Sequence, residues 1–451
     1  MLSLIALAAA ACAPAPAPPA ELRFWALGTE GETVRPLVAD FERAHPGVRV
    51  RIQQIPFSAA HEKLLTAVVG DAAPDVAQLG NTWLAEFAAL RALEPLDARL
   101  ARSSAVDRAD YFPGAWAANV VDGRTVGVPW YVDTRLLFYR ADLLARAGVP
   151  RAPESWAEWT DAMRRVRRVQ PPGGGPALLP VNEFEPPLIV LLQSGAPLLR
   201  DDDTRGNFRD PRVRAAFAWY IALYRDGLAP AVATTQVPNI SQEFAAGRYA
   251  MYVTGPWNVA DFARWLPPAR WATAPMPGPT GAASGTSLAG GSSLVLFAGR
   301  GHDDPARRAL AWQLVEFLST PATQARFAGL SGDLPARASA WAPAGLLADP
   351  KLVPFRAQLQ RLTPLPRVPE WELIATRVTE AVDQAAHGAV TVDGALRTLD
   401  AEVDRILEKR RWLRTRQAGL SARATVDPRV RGGDGSTVVT PAHAGVHPCL
   451  R

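Results

Sequence analysis

The chain has 451 residues, of which 48% are hydrophobic and 21% are charged, and this apolar content excludes a disordered chain. The two cysteines, Cys12 and Cys449, exclude a disulfide framework and a cysteine-based zinc module. Residues 414–451 carry six arginines against two aspartates and so supply most of the net charge of +5. The nearly neutral remainder argues against a nucleic-acid-binding surface, and its length is enough for two or three domains of about 100–200 residues.

The amino-terminal segment combines a short apolar run at 2–11 with Cys12 and a Pro/Ala-rich stretch at 13–20. A run of this length fits the hydrophobic region of a secretory signal and is too short to span a membrane. A cysteine directly after it resembles a bacterial lipoprotein processing site, in which Cys12 is the lipidated residue. The alternative is an apolar tail with an accidental cysteine.

Strand and helix patterns alternate from residue 21 onward. Residues 21–27 and 48–55 read as strands, and Val34, Leu37, Val38 and Phe41 recur between them at helical spacing. A second helix is predicted at 58–70 and a short buried strand at 74–79. This order predicts a parallel α/β sheet with right-handed crossovers.

Further along the chain, residues 123–140 contain two strand-like runs, and residues 249–258 form a strand that ends in a Gly-Pro turn. Residues 306–320 predict an amphipathic helix and residues 370–411 a helical region. Zones rich in glycine and proline near 129 and 285 are candidate crossings between domains.

Known catalytic motifs are missing from the sequence. It contains no phosphate-binding Walker loop, no dinucleotide-binding GxGxxG, no GxSxG elbow and no HExxH metal motif. A glycosidase needs two carboxylates, and nothing in the sequence points to such a pair.

Several of the fourteen tryptophans lie in polar turns at predicted strand ends. Trp83 follows Asn81-Thr82, Trp130 and Tyr131 precede Asp133, and Trp257 follows Gly255-Pro256. Aromatic faces stack on the apolar faces of sugar rings, while carboxylates accept hydrogen bonds from hydroxyls. Open α/β sheets bind ligands outside the carboxyl ends of their strands. These turns therefore predict a cleft for a neutral polyhydroxylated ligand, and core packing is the alternative for each tryptophan alone.

An ordered series of segments over about residues 21–410 resembles the extracellular sugar-binding proteins of bacterial ABC importers, the maltose/trehalose-binding-like group of solute-binding protein family 1. The segments are RFWALGTEGE, HPGVRVRIQQIPF, LLTAVVGDAAPDVAQLGNTWLAEFAAL, GVPWYVDTRLLFYRADLL, MYVTGPWN, AGGSSLVLF, AWQLVEFLS and SGDLPAR.

The resemblance implies an α/β, two-lobed periplasmic-binding-protein fold of type II, with the ligand in a cleft between lobes that close about a hinge. By position, 1–20 is the signal or lipoprotein segment, 21–130 plus 286–335 form the amino-terminal lobe, and 131–285 plus 336–413 form the carboxyl-terminal lobe. Residues 414–451 are predicted to be a disordered or non-native tail.

The resemblance also implies a set of ligand-binding residues. Glu30 and Asp133 are expected to bond hydroxyls, Tyr131 and Trp257 to stack, and Arg337 to donate. The full set is Gly28, Thr29, Glu30, Asn81, Thr82, Trp83, Tyr131, Asp133, Asn182, Glu185, Trp257, Asn258, Gly290, Gly291, Ser292 and Arg337.

Other interpretations of these positions remain open. Many relatives carry Asp where this chain has Gly80, so one hydroxyl acceptor is missing or is supplied by Asn81. Gly290-Gly291 can be a hinge alone, Asp133 can cap a strand, and Glu30 can serve the dipole of the following helix.

The function implied by the resemblance is a non-enzymatic, monomeric receptor that delivers a mono- or oligosaccharide to membrane permease subunits. It works in the periplasm or on the outer face of the cytoplasmic membrane, without cofactor, metal or nucleic acid, and meets the membrane through its lipid anchor. The alternatives are a glycan-cleaving enzyme with two cleft carboxylates, or the same fold binding glycerol phosphate or a polyamine.

The tail from residue 414 lacks the resemblance. PRVRGGDGSTVVTPAHAGVHPCLR resembles accidental translation of CRISPR repeat DNA, which indicates a frameshift or a lost stop codon, and a real basic extension is the alternative. We expect deletion of 417–451 to leave ligand affinity unchanged; a large loss on truncation would count against a non-native tail.

Overall fold

The computed structural model describes residues 20–299 and 302–416. The predictions for Cys12, the rest of the segment before residue 20 and the tail from residue 417 lie outside the described residues. Of the described residues, those up to Ile406 belong to one compact unit. In the second unit, which begins at Leu407, residues 408–416 are helical.

Short strands and helices alternate along the described chain. The strands are β1 (Ala20–Leu27), β2 (Val48–Ile55), β3 (Val76–Gly80), β4 (Val120–Val121), β5 (Arg124–Thr125), β6 (Val128–Asp133), β7 (Leu136–Tyr139), β8 (Gly175–Leu178), β9 (Leu199–Arg200), β10 (Arg205–Gly206), β11 (Tyr249–Thr254), β12 (Ala272–Ala274), β13 (Ser287–Leu288), β14 (Gly290–Leu296), β15 (Leu334–Pro335) and β16 (Leu362–Thr363).

The helices are α1 (Glu30–Thr33), α2 (Arg35–Ala44), α3 (Phe57–Val69), α4 (Leu84–Ala89), α5 (Asp97–Leu100), α6 (Pro113–Ala117), α7 (Ala141–Arg146), α8 (Trp156–Val166), α9 (Glu185–Gln193), α10 (Pro211–Arg225), α11 (Ile240–Ala246), α12 (Trp257–Trp265), α13 (Pro305–Leu318), α14 (Pro321–Ser331), α15 (Val353–Leu359), α16 (Trp371–Ala386) and α17 (Val392–Ile406). Within the described ranges, no helix combines the length and the apolar character that crossing a bilayer requires.

The first sheet has the strand order β15-β6-β14-β3-β1-β2. Its strands β2, β1 and β3 are parallel, which confirms the strands predicted at 21–27 and 48–55. The strand predicted at 74–79 is also present, but it begins at Val76 and continues to Gly80. The buried run at the end of β1 is typical of a strand covered on both faces. Strand β14 adds antiparallel to both β3 and β6, so the sheet is mixed rather than purely parallel.

The second sheet has the order β12-β7-β11-β8. Strand β11 is parallel to β8 and antiparallel to β7, and every residue of β11 is buried. Strands β6 and β7 are consecutive in the chain but belong to different sheets, so the chain crosses between the lobes at residues 134 and 135. The lobe boundary predicted between residues 130 and 131 therefore falls inside β6, three residues before its end.

Hydrogen bonds join this first crossing to the segment by which the chain returns. Thr134 Oγ1 donates to the carbonyl of Leu288 at 2.9 Å, and Ser287 Oγ donates to the carbonyl of Arg135 at 3.0 Å. Strand β13, which contains Ser287, also pairs with β16. Because Thr134 and Ser287 are fully buried, these bonds fix the register of the crossing segments.

Each lobe has an aromatic core. Trp130 is fully buried and stacks on Phe327 with ring centroids 4.4 Å apart. In the other lobe, Phe138 lies parallel to Trp271 and meets Phe262 edge-on at 5.6 Å. These contacts hold the strands whose ends carry the polar residues described next.

Candidate functional site

Polar and aromatic side chains converge where parallel strands end. The turn after β1 carries Glu30, and the turn after β3 carries Asn81. In the second sheet, α9 begins at Glu185 soon after β8, and α12 begins at Trp257 directly after β11. The carboxyl ends of parallel strands share one edge of a sheet, which is where open α/β folds bind ligands. Asp133, at the end of β6, lies at the crossing between the two sheets.

A buried hydrogen-bond network holds Glu30. The Tyr131 hydroxyl donates to Glu30 Oε1 at 2.9 Å and accepts from Gln78 Nε2 at 3.1 Å and from Ser292 Oγ at 3.0 Å. Gln78 is fully buried, and its other side-chain atom, Oε1, accepts from the backbone N–H of Leu27 at 2.8 Å. Burial and the neighbouring Glu30 raise the pKa of Tyr131 well above its usual value, so the hydroxyl remains a donor.

Tyr131 was expected to stack on ligand, and this role stays a prediction. Its side chain is buried, with ring contacts to Trp130 and Phe327. Its hydroxyl donates to the Glu30 carboxylate and so orients it. Gly28 and Thr29 form the turn that precedes Glu30, and Thr29 is exposed.

A second group of residues surrounds Arg135 in the first crossing. Arg135 Nη1 donates to Asp133 Oδ1 at 2.8 Å and Arg135 Nη2 donates to Glu185 Oε1 at 2.5 Å. The guanidinium carbon lies 4.6 Å from the ring centroid of Trp257. Burial raises the pKa of Asp133 although Arg135 opposes the shift, and the charge of Glu185 raises it further.

Trp257 presents an aromatic surface to solvent. Its side chain is 49% exposed, and its ring lies over Gly255, where a Cβ atom would overlap the indole. The next residue, Asn258, accepts a hydrogen bond from Thr254 Oγ1 at 2.7 Å, which joins α12 to the end of β11. A half-exposed indole supported from below is the geometry that a sugar-stacking platform needs.

Glycines allow β14 to approach this site closely. A Cβ on Gly290 would overlap the Asp133 carboxylate, and a Cβ on Gly291 would overlap the Tyr131 carbonyl oxygen. Gly291 also has a φ of +113°, a conformation that other residues rarely adopt. The backbone of β14 therefore lies so close to Tyr131 and Asp133 that only glycine fits at these two positions.

Some residues expected at the site have other partners. Trp83 is 7% exposed and packs on Phe57 and His61 inside its lobe, with ring centroids 5.5 and 5.2 Å away. Arg337 is 6% exposed and donates to Asp110 Oδ2 at 2.6 Å. The indole of Trp83 and the guanidinium of Arg337 are thus both buried and engaged with other residues. A direct contact to ligand stays a prediction for both.

The amides and hydroxyls of the predicted set are similarly engaged. Asn81 Oδ1 accepts from Ser293 Oγ at 3.1 Å, and Thr82 is half-buried beside it. Asn182 is exposed and binds the backbone N–H and the hydroxyl of Thr234 at 2.8 and 3.0 Å. These bonds stabilise the turns, and the role of each residue as a ligand contact stays a prediction.

Two acidic residues, Glu183 and Asp333, were missed by sequence reasoning. Burial raises the pKa of Glu183 to about 7, and the charge of Glu185 raises it further. Burial likewise raises the pKa of Asp333 to about 7, with an added contribution from Glu30. Asp333 occurs in the SGDLPAR segment, and Glu183 lies between the predicted residues Asn182 and Glu185, so both lie in stretches that the sequence analysis had already singled out. The site therefore holds more carboxylates than cations.

We expect Asp333→Asn to stabilise the unliganded protein at pH 8 and to have little effect at pH 5. The pKa of Asp333 is about 7 in the folded state against a reference of 3.8, so folding favours the protonated form. The stability that the protonated Asp333 carboxyl contributes to the wild type is fully present below the unfolded pKa and is lost as the pH rises through 7. The gain at pH 8 should be on the order of 1–2 kcal/mol after allowance for solvent screening.

Melting temperatures of the wild type and of Asp333→Asn between pH 5 and pH 8 measure this effect. The exposed Glu62→Gln serves as the control for loss of one negative charge. An equal gain at both pH values, or the same gain from the control, would contradict the assignment to Asp333.

The sequence and the fold of this chain match those of known proteins. The family model described as bacterial extracellular solute-binding protein matches residues 25–325. The sugar-binding protein MalE from Xanthomonas citri is 48% identical in sequence to this chain, and the two structures superimpose with a TM-score of 0.82. The match covers 87% of this chain and 98% of the MalE chain.

Two further relatives share most of the chain. The GacH receptor of Streptomyces glaucescens, whose structures include complexes with acarbose and an acarbose homologue, is 26% identical over 86% of this chain and 99% of that protein, with a TM-score of 0.72. An uncharacterized lipoprotein of Streptomyces antibioticus is 27% identical over 82% of this chain and 83% of its own length.

Proposed function

Because the chain belongs to the bacterial extracellular solute-binding protein family, we propose that it is an extracytoplasmic receptor for a mono- or oligosaccharide, which it delivers to the permease subunits of an ABC importer. The observation that carries this proposal is the half-exposed indole of Trp257 beside the carboxylates of Asp133 and Glu185. An aromatic face and carboxylate acceptors suit the two chemically distinct parts of a sugar ring. The sugar-binding relative from Xanthomonas citri supports the same ligand class.

Binding is coupled to closure because the two lobes supply different groups. Glu30 follows β1 of the first sheet, whereas Trp257 follows β11 of the second. A sugar that contacts both lobes stabilises the closed arrangement relative to the open one, whereas a ligand that contacts one lobe alone does not. A dissociation constant near one micromolar corresponds to about −8 kcal/mol, which one stacked ring and several hydroxyl bonds can supply.

The family consists of solute-binding proteins, and the relatives from Xanthomonas citri and Streptomyces glaucescens are a sugar-binding protein and a receptor, so we propose that this chain returns its sugar chemically unchanged. The carboxylates of the cleft then act as hydrogen-bond acceptors rather than as an acid–nucleophile pair. Chromatography of oligosaccharides after prolonged incubation with the protein should show no shortened product, and release of such products would establish a hydrolase instead.

A thermal-shift screen tests the ligand class directly. The panel contains maltose, trehalose, maltotriose, galactose and acarbose, with glycerol phosphate and spermidine as non-sugar controls. A ligand that binds the folded state alone stabilises it by about 2.7 kcal/mol at one hundred times its dissociation constant. We expect at least one sugar to raise the melting temperature and neither control to do so. A shift produced by glycerol phosphate or spermidine alone would overturn the proposal.

We further propose that the receptor is a monomer attached to the membrane surface through a lipid on Cys12, a residue outside the described ranges. The lipoprotein relative from Streptomyces antibioticus supports this attachment. One acyl chain gives weak, reversible binding, so firm anchoring requires more than one chain. Labelling with a radioactive fatty acid should mark the wild type and not Cys12→Ser, and equal labelling would exclude Cys12.

The proposed monomer is tested separately by light scattering. The measured mass should be that of one chain, and the mass of a dimer would contradict the monomer.

A further inference from the structure

Arg135 contacts three residues that the sequence assigned to ligand binding, although it was not selected itself. Its guanidinium donates to Asp133 at 2.8 Å and to Glu185 at 2.5 Å, and it lies 4.6 Å from the ring centroid of Trp257. Asp133 ends a strand of the first sheet, whereas Glu185 and Trp257 begin helices that follow strands of the second. One side chain thus joins ligand groups from both lobes.

The contacts of Arg135 have distinct effects. The cation lies over the indole ring, which also rests close to Gly255, and about half of Trp257 remains exposed. The bonds to Asp133 and Glu185 each use one oxygen of the carboxylate, Oδ1 and Oε1 respectively, and fix the direction of the other. The Arg135 side chain is 13% exposed, which limits its own access to a ligand.

We propose that Arg135 is a positioning residue of the cleft, which supports the indole of Trp257 and orients the carboxylates of Asp133 and Glu185. The role in sugar affinity rests on the proposed function, whereas the support of Trp257 is a property of the unliganded chain. Arginine suits this position because its planar fork donates to two carboxylates and stacks on an aromatic face at once. A lysine, with its single point charge, cannot make all three of these contacts at the same time.

The first experiment needs no sugar. The full chain is labelled with 5-fluorotryptophan, and the Trp257 resonance is identified by its loss in Trp257→Phe. We expect Arg135→Lys and Arg135→Gln to shift or broaden that resonance in ¹⁹F NMR spectra, while resonances of core tryptophans such as Trp130 keep their positions. An unchanged Trp257 resonance in both folded variants would overturn the proposal.

Arg140 provides the matched control. It is a buried arginine five residues further along the chain, it pairs with Asp142 at 2.7 Å, and its other bonds go to backbone carbonyls of α11. We expect Arg140→Lys to lower the melting temperature without moving the Trp257 resonance. If Arg140→Lys moves that resonance as much as Arg135→Lys does, the effect reflects a general loss of packing. That result would refute the proposal that Arg135 specifically supports the indole of Trp257.

The second experiment measures affinity for the same sugar panel. We expect Arg135→Lys to raise the dissociation constant about tenfold and Arg140→Lys to change it less than twofold. Equal affinity of Arg135→Lys and wild type would overturn the role in binding. A wild type that binds no sugar, together with the expected resonance shift, would defeat the proposed function and leave the support of Trp257 standing.

Discussion

Trp257→Ala is expected to raise the dissociation constant for the bound sugar by about 30- to 100-fold, which corresponds to about 2–3 kcal/mol. The half-exposed indole supplies the aromatic face of the site, and alanine removes that face together with the surface that Arg135 supports. Isothermal titration calorimetry with the sugar that gives the largest thermal shift measures the loss. The same variant should abolish the shift at moderate sugar concentrations.

Trp265→Ala is the matched control for this prediction. Trp265 ends the same helix, α12, and is 50% exposed, so the two substitutions remove equal side chains from equally exposed positions. About 12 Å of helix separates the two residues. We expect Trp265→Ala to bind sugar as the wild type does. Undiminished affinity in Trp257→Ala would remove its indole from the site.

The positions of strand ends could be predicted from the sequence because the signal is local. Strands at 21–27, 48–55 and 74–79 follow from alternation and buried runs, and their parallel order places the following turns at one edge. This is why Glu30 could be placed at that edge, and its contact with ligand stays a prediction. The crossing at 134–135 was located less well, since β6 continues three residues past the predicted boundary.

The direction of a side chain could not be predicted from its neighbours in sequence. Trp83 lies in a polar turn, as Trp257 does, and both were expected in the cleft. The 3₁₀ turn Asn81–Trp83 places the indole of Trp83 against Phe57 and His61, whereas Trp257 opens a helix and remains half exposed. Polar flanking residues indicate an exposed backbone and do not determine where the ring points.

The charge of the site depends on contacts between distant segments and was also missed. The body of the chain is nearly neutral, and the predicted cleft turns combine aromatic and neutral groups. The fold instead gathers Glu183, Glu185 and Asp133 around Arg135 and brings Asp333 near Glu30. The pKa values of Glu183 and Asp333 rise to about 7 as a result of burial. Composition averages over the whole surface, so it cannot reveal an excess of carboxylates within one crevice.

Gly291→Ala is expected to lower the free energy of unfolding by about 2–4 kcal/mol. The residue has a φ of +113°, and an added Cβ would lie 2.8 Å from the Cα of Val132 and closer still to the Tyr131 carbonyl oxygen. The obstructing atoms are backbone atoms of β6, so no flexible side chain can move aside. Relief requires a shift of β6 or β14, which also disturbs the Tyr131 network around Glu30.

Gly388→Ala separates the cost of the clash from the cost of the backbone conformation. Gly388 has a φ of +76° with no atom within 4 Å of an added Cβ, so alanine there bears the strain of the left-handed region alone, about 1–2 kcal/mol. Urea unfolding of both variants gives the comparison, and we expect Gly291→Ala to be the more destabilised and the only one with weakened sugar binding. Equal losses of stability with unchanged affinity would show that β14 can retreat from β6, and that the close approach at Gly291 is not required by the site.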